Sequence, residues 1–155
     1  MAKGFPKPVK WRPQHPEKYV GDVDTIVSRS SWELHFMRYC DSNPAVIAWT
    51  SEYPIKYYST VDEKVRRYFV DFFVKMRTVD GHAVLMIEVK PDEQCAPPRK
   101  PRTANHKSQM RYLTECAAYQ LNVDKWQAAR EFAEKNNMKF IILNEYDIGL
   151  KKRKT

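Results

Sequence analysis

Two apolar segments joined by a tight turn carry ionisable groups where an ordinary core strand would carry only hydrocarbon, and no other stretch restricts the fold so strongly. Tyr68-Phe69-Val70-Asp71-Phe72-Phe73-Val74 reads as one strand and Met86-Ile87-Glu88-Val89-Lys90-Pro91 as the next, with Asp80-Gly81 between them as a hairpin signal. Side chains alternate faces along a strand, so Asp71 is expected on the face of Phe69 and Phe73, with Glu88 and Lys90 together on one face of the second strand. The Asp71 strand is apolar on both faces, so Asp71 is not expected merely to face solvent. Three ionisable groups are thus offered to one small region.

The remaining chain supplies the frame. Trp32, Phe36 and Tyr39 recur at helical spacing, with Glu33, Met37 and Cys40 on the adjoining stripe; a helix is predicted from Ser30 to about Asp41, ended by Asn43-Pro44. Val46 to Tyr58 predicts a strand interrupted near Pro54, as an edge or bulged strand would be. Thr60 to Lys64 makes a loop, and Arg66 to Met76 and Ala83 to Lys90 complete an antiparallel meander. Downstream, one helix is predicted from about Ala104 through Tyr119. A second follows from Val123 to Asn136, capped by Asn122, with Trp126, Ala129, Phe132 and Ala133 facing the core. Lys139 to Glu145 closes the order as a short buried strand. Helix, three strands, two helices and a strand make an α/β fold, a mixed four-stranded sheet flanked by helices.

A chain of 155 residues has the length of one domain. Residues 1–24 read as a basic, proline-rich arm (Lys3, Pro6, Lys7, Pro8, Lys10, Arg12, Pro13, Pro16, Lys18), 25–147 as the domain and 148–155 as a basic tail. Trp11 and Tyr19 suggest that part of the arm packs down, and it can serve either as a wrap around its own domain or as a segment that follows phosphates or a protein partner. The formal net charge of +8 favours a polyanionic partner. The loop from Pro91 to Pro101 and the turn after it carry Arg99, Lys100, Arg102, Lys107 and Arg111. These can grip a phosphodiester backbone or simply be solvated. Cys40, Cys95 and Cys116 form no CxxC pair and read as reduced thiols, not a zinc site. His15, His35, His82 and His106 are scattered. No apolar run approaches the ~20 residues of a membrane span and no secretory signal opens the chain, so a soluble protein that stays in the cell that makes it is expected.

Carboxylates crowded in a dry place raise one another's pKa unless a cation neutralises them. Mg²⁺ suits such a place, since it takes oxygen from one or two carboxylates, and the backbone carbonyl of Val89 could complete the shell. Lys90 beside it would supply positive charge for phosphodiester cleavage, which needs a positioned water and stabilisation of the charge that develops. Asp71, Glu88 and Lys90 can equally be read as a structural ion-pair network. Glu33 also has two readings. Ser30-x-x-Glu33 fits a capping box, whereas the stripe shared with Met37 and Cys40 would point the carboxylate inward.

Asp71, then Glu88-Val89-Lys90 after a hairpin, preceded by Glu33 on a helix, resembles the restriction-endonuclease-like core of the PD-(D/E)xK nuclease superfamily. Arg29-Ser30-Ser31-Trp32-Glu33, the Asp71 and Lys90 segments and Lys10-Trp11-Arg12-Pro13 further resemble the head-completion nucleases of T-even-type phages and, more distantly, TnsA-type transposon endonucleases. The likeness runs from about Lys7 to Glu145, with Val70 where the named motif has proline. It implies that Glu33, Asp71 and Glu88 contribute metal-binding carboxylates for Mg²⁺, with Mn²⁺ as a substitute, and that Lys90 is catalytic. Endo- and exonucleolytic DNA cleavage is implied, with phosphate contacts that have little sequence preference. Arg29 and Lys125 join the cationic residues expected to touch DNA. The resemblance also implies a role in completing phage heads in the host cytoplasm, contact with head, portal or neck proteins, and retention in the virion. The competing reading is a non-catalytic DNA-binding or structural neck protein on the same scaffold.

Overall fold

The computed structural model describes residues 7–103 and 105–154; Lys3 and Pro6 of the arm, the expected helix start at Ala104 and the last residue of the tail lie outside them. Its frame is a four-stranded sheet of order β3-β4-β5-β6. Strands β3 (Val46–Ser59), β4 (Lys64–Thr78) and β5 (Gly81–Val89) are antiparallel neighbours, and β6 (Lys139–Leu143) runs parallel to β5. The hairpin between β4 and β5 closes at the Thr78–Gly81 pair, where Gly81 takes φ +132°, a conformation that L side chains rarely adopt. Two short strands, β1 (Val9–Lys10) and β2 (Val27–Ser28), form a separate antiparallel pair.

Helix α1 (Ser31–Ser42) covers one face of the sheet and α2 (His106–Lys135) the other, crossing from β5 to β6. The two helices expected after the proline-rich loop are therefore one helix of 30 residues. Neither proline nor glycine stands between Tyr119 and Val123, and Asn122 in a helix interior costs only a few tenths of a kcal/mol, too little to break the ladder. The working cap is Asn105, whose side chain accepts from Ser108 N at 2.8 Å. The expected core stripe holds, with Trp126, Ala129 and Ala133 buried and Phe132 packed beside them. On α1, Phe36, Met37 and Cys40 are buried, but Tyr39 is 43% exposed, so the buried stripe is rotated from the one expected.

Strand β3 is the edge strand that Pro54 suggested, and it runs through Pro54 without a break. A missing N–H is tolerated at such an edge, and Pro54 sits in register opposite Phe69. The irregularities fall instead between Val46 and Ala48, where the register shifts, and at Glu52, whose φ is +53°.

The core has two layers, and β4 contributes to both. Phe72 and Val74 pack with Phe36, Met37 and Trp49 on the α1 side, while Tyr68 and Val70 pack with Ile55, Ala129 and Ala133 on the α2 side. Residues two apart on an unbroken strand share a face, so the alternation breaks beside Asp71, opposite the distorted Glu52. The expectation that Asp71 shares a face with both Phe69 and Phe73 fails for this reason. Phe73 packs against Phe132 of α2 at 6.2 Å between ring centres, whereas Phe69 is 51% exposed and points away from buried Tyr68 and Val70.

The described part of the arm lies against the C-terminal end of α1. Asp41 accepts from Gln14 N and His15 N, both at 2.8 Å, and Lys18 Nζ donates to the carbonyls of Asp41 and Asn43 at 3.0 and 2.9 Å. Tyr19 meets Trp49 edge-on at 4.7 Å, and Val20 N bonds Trp49 O at 2.8 Å.

Candidate active site

Strands β4 and β5 pair regularly as far as Phe72 and Ile87. Beyond that pair Asp71 Oδ2 accepts from Val89 N at 2.9 Å, so a side-chain oxygen caps a strand amide where the two strands part. Glu88 is buried on the α2 side, one oxygen taking the Tyr68 hydroxyl and the other standing 3.4 Å from Lys90 Nζ. Lys125 reaches the same place from α2, its ammonium 5.7 Å from the Tyr68 ring centre and 5.8 Å from that of Tyr57, an arrangement that favours a cation over both rings.

The electrostatics are those of crowded acids. Burial, and then the Glu88 carboxylate, push the Asp71 pKa well above the ordinary value, against the pull of the Val89 hydrogen bond and Lys90. Burial also raises Glu33, with the Arg29 amide opposing and Glu52 and Glu88 adding to the rise. Burial lowers the Lys125 pKa, and Glu88 partly restores it. Burial and Glu88 raise the Tyr68 phenol, which keeps it a hydrogen-bond donor.

Glu33 combines features of both of its readings. Its amide donates to Ser30 Oγ at 3.1 Å, so the helix cap forms, but its carboxylate accepts from Arg29 N at 3.0 Å, one residue beyond the amide a capping box uses. The rest of that carboxylate is half-buried and close enough to Asp71 to raise its pKa.

Among the described residues no three His, Cys, Asp or Glu side chains converge tightly enough to hold one metal ion. The donors that do converge are Asp71 and Glu88, two hard oxygen ligands whose mutual repulsion a divalent cation would relieve. Asp71 Oδ1 has no hydrogen-bond partner among the described residues. A two-carboxylate set fits Mg²⁺, which fills its remaining positions with water and phosphate oxygens.

The expected DNA-contacting residues divide. Lys125 belongs to the acidic centre itself, half-buried above the two tyrosines. Arg29 is ion-paired with Glu52 at its rim. Arg99, Lys100, Arg102 and Lys107 are exposed and, among the described residues, pair with no acid, and Arg111 pairs with Glu115 at 3.1 Å. Arg99 and Arg111 line a cleft of about 850 Å³ between the loop after β5 and the first half of α2.

Tyr68 is the site residue that sequence reasoning missed. Strict alternation would turn it away from Glu88, and only the break beside Asp71 brings it onto the same face. No spacing rule announces that break.

Known proteins resemble this chain. Residues 43–145 match the TnsA-like endonuclease N-terminal family, a span that includes Asp71, Glu88, Lys90 and Lys125 but not Glu33. The head completion nuclease of Enterobacteria phage T4 is 40% identical over 137 residues, 88% of this chain and 89% of that protein. No solved structure matches the chain.

Proposed function

The chain belongs to the TnsA-like endonuclease family, and on that footing we propose that it is a divalent-metal-dependent deoxyribonuclease acting in phage head completion before heads and tails join. The observation that carries this reading is the convergence of Asp71, Glu88 and Lys90 where β4 and β5 part. Asp71 and Glu88 would hold Mg²⁺, or Mn²⁺ in its place, with the Val89 carbonyl and Glu33 as further oxygen donors. A divalent ion held there would supply Lewis-acid polarisation of the scissile phosphate.

The protein's own groups do the rest. Tyr68 fixes the Glu88 carboxylate from one side, so its other oxygen and Lys90 are presented together. Lys90 Nζ, mostly shielded from solvent, supplies a preorganised positive charge to the phosphate as negative charge builds on it. Lys125 adds a second cation from the α2 side, held in place by two tyrosine rings. Cleavage is endonucleolytic and exonucleolytic, with grip on DNA through phosphates by Arg29, Arg99, Lys100, Arg102, Lys107 and Arg111. Such contacts carry no base information, so little sequence preference is expected. The nuclease domain is assigned to residues 25–147, flanked by basic segments, and the protein works in the host cytoplasm among head, portal or neck proteins and stays with the virion.

Closed circular plasmid separates this from a scaffold role. Nicking that requires Mg²⁺ and stops with chelator is expected. DNA binding without cleavage under any divalent ion would assign the chain to a structural neck protein.

A further inference from the structure

The outer parts of β3 and β4 extend past α1, and one of their faces is uncovered. Ile55, Tyr57, Tyr68 and Val70 fill the face against α2. On the opposite face, register places Pro54 beside Phe69, Lys56 beside Arg67 and Tyr58 beside Val65. Tyr58 is 54% exposed, Val65 67% and Phe69 51%. The Arg67 guanidinium lies 5.9 Å from the Phe69 ring centre. Among the described residues no carboxylate forms an ion pair with Lys56 or Arg67, and like charges directly opposite each other on a sheet are destabilising in the free protein. A partner that is both anionic and apolar-faced would offset that cost and cover the rings.

We propose that this face is a platform for an unpaired DNA strand, which it leads to the acids at Asp71. It rests on the nuclease reading above for its substrate. Rings at Tyr58 and Phe69 give each base a flat partner, and the Lys56–Arg67 pair between them meets the phosphate, the combination by which single strands are held without sequence preference. The two rings are four residues apart along the strand, about 13 Å, too far for consecutive bases stacked at about 3.4 Å, so the strand is extended and unstacked. Phe69 is two residues before Asp71 along β4, so the platform ends near the reacting centre. The turn that carries it is held firmly, since buried Asp124 of α2 accepts from Thr60 N and Thr60 Oγ1 at 2.7 and 2.9 Å. The substrates favoured by this face are frayed ends, flaps and gaps, which offer single strand beside duplex.

The test measures binding alone, in chelator, by fluorescence anisotropy of a labelled single-stranded oligonucleotide and of a blunt duplex. For Tyr58→Ala/Phe69→Ala, single-strand affinity is expected to fall roughly tenfold or more while duplex affinity holds within about twofold. Phe69→Leu, which keeps apolar bulk and guards against misfolding of the double variant, should lose a smaller share of single-strand affinity only. Photocrosslinks from a thiothymidine single strand should map to Tyr58 or Phe69. Unchanged single-strand affinity in the variants, or crosslinks confined to residues 99–111, would overturn the platform and leave this face to a protein partner. Because no cleavage occurs in chelator, failure here is separate from failure of the proposed nuclease, which plasmid cleavage with Mg²⁺ reads independently.

Discussion

Tyr68 donates its hydroxyl hydrogen bond to Glu88 Oε2, while Lys90 Nζ stands 3.4 Å from the other oxygen of the same carboxylate. One acid is thus held from both sides, by a hydroxyl from β4 and an ammonium from the residue just past β5. Tyr68→Phe keeps the ring and its packing but leaves a buried carboxylate oxygen unsatisfied, at a cost of about 1–3 kcal/mol. Urea denaturation should record that loss in chelator. Cleavage should fall roughly 10–100-fold, as when a partner that orients a metal ligand is removed.

The crowding at Asp71 sets a pH dependence. Its folded-state pKa lies above its unfolded value because of burial and then Glu88, so between those two values the folded state binds more protons than the unfolded one. Stability of the metal-free protein therefore falls as pH rises through that window. Asp71→Asn should flatten the fall, leaving a metal-free protein at least as stable as the parent at neutral pH but inactive. Thermal unfolding in chelator from pH 5 to 8 measures both slopes; equal slopes would remove Asp71 from this role.

Asp124 has the opposite sign. Burial works to raise its pKa, but hydrogen bonds from Thr60 N, Gln120 and the Thr60 hydroxyl outweigh it and hold the carboxyl below the ordinary range. Its stabilisation is present above the unfolded pKa and disappears as pH falls through the folded one. Asp124→Asn should lower stability at pH 7 and make unfolding less sensitive to acid over pH 5 to 3, as followed by circular dichroism.

Asp41 fastens the arm to the end of α1 through Gln14 N and His15 N. In Asp41→Ala two amides lose their acceptor, an expected cost of about 2–4 kcal/mol if both stay shielded from water. Limited proteolysis should then cut within residues 9–20 before any other site. Retained resistance would mean that Lys18 on the α1 carbonyls and the Tyr19–Trp49 contact hold the arm without the Asp41 carboxylate.

Much of the fold was legible because periodicity and turn chemistry agree: Ser30 caps α1, the Asp80-Gly81 hairpin pairs β4 with β5, and Trp126, Ala129 and Ala133 line α2. The continuous α2 was not, because Asn122 looks like a cap and its small helix penalty is overridden by the residues packed on either side of it. The acids and Lys90 could be named from the two strands. Their true relationship could not, since a break in strand alternation depends on the Glu52 backbone across the sheet and leaves no local signature. The same break hid Tyr68 and turned Phe69 outward.

If Asp71, Glu88 and Lys90 form one reacting centre, loss of any one of them stops cleavage without releasing DNA. The most direct measurement is the rate of supercoiled plasmid cleavage with Mg²⁺ by the parent, Lys90→Ala and Asp71→Asn, each checked for folding and for DNA binding in chelator. Mg²⁺-dependent cleavage by the parent is expected, with a loss of roughly 100-fold or more in both variants and binding retained. Parent-like cleavage by either variant would contradict a single centre.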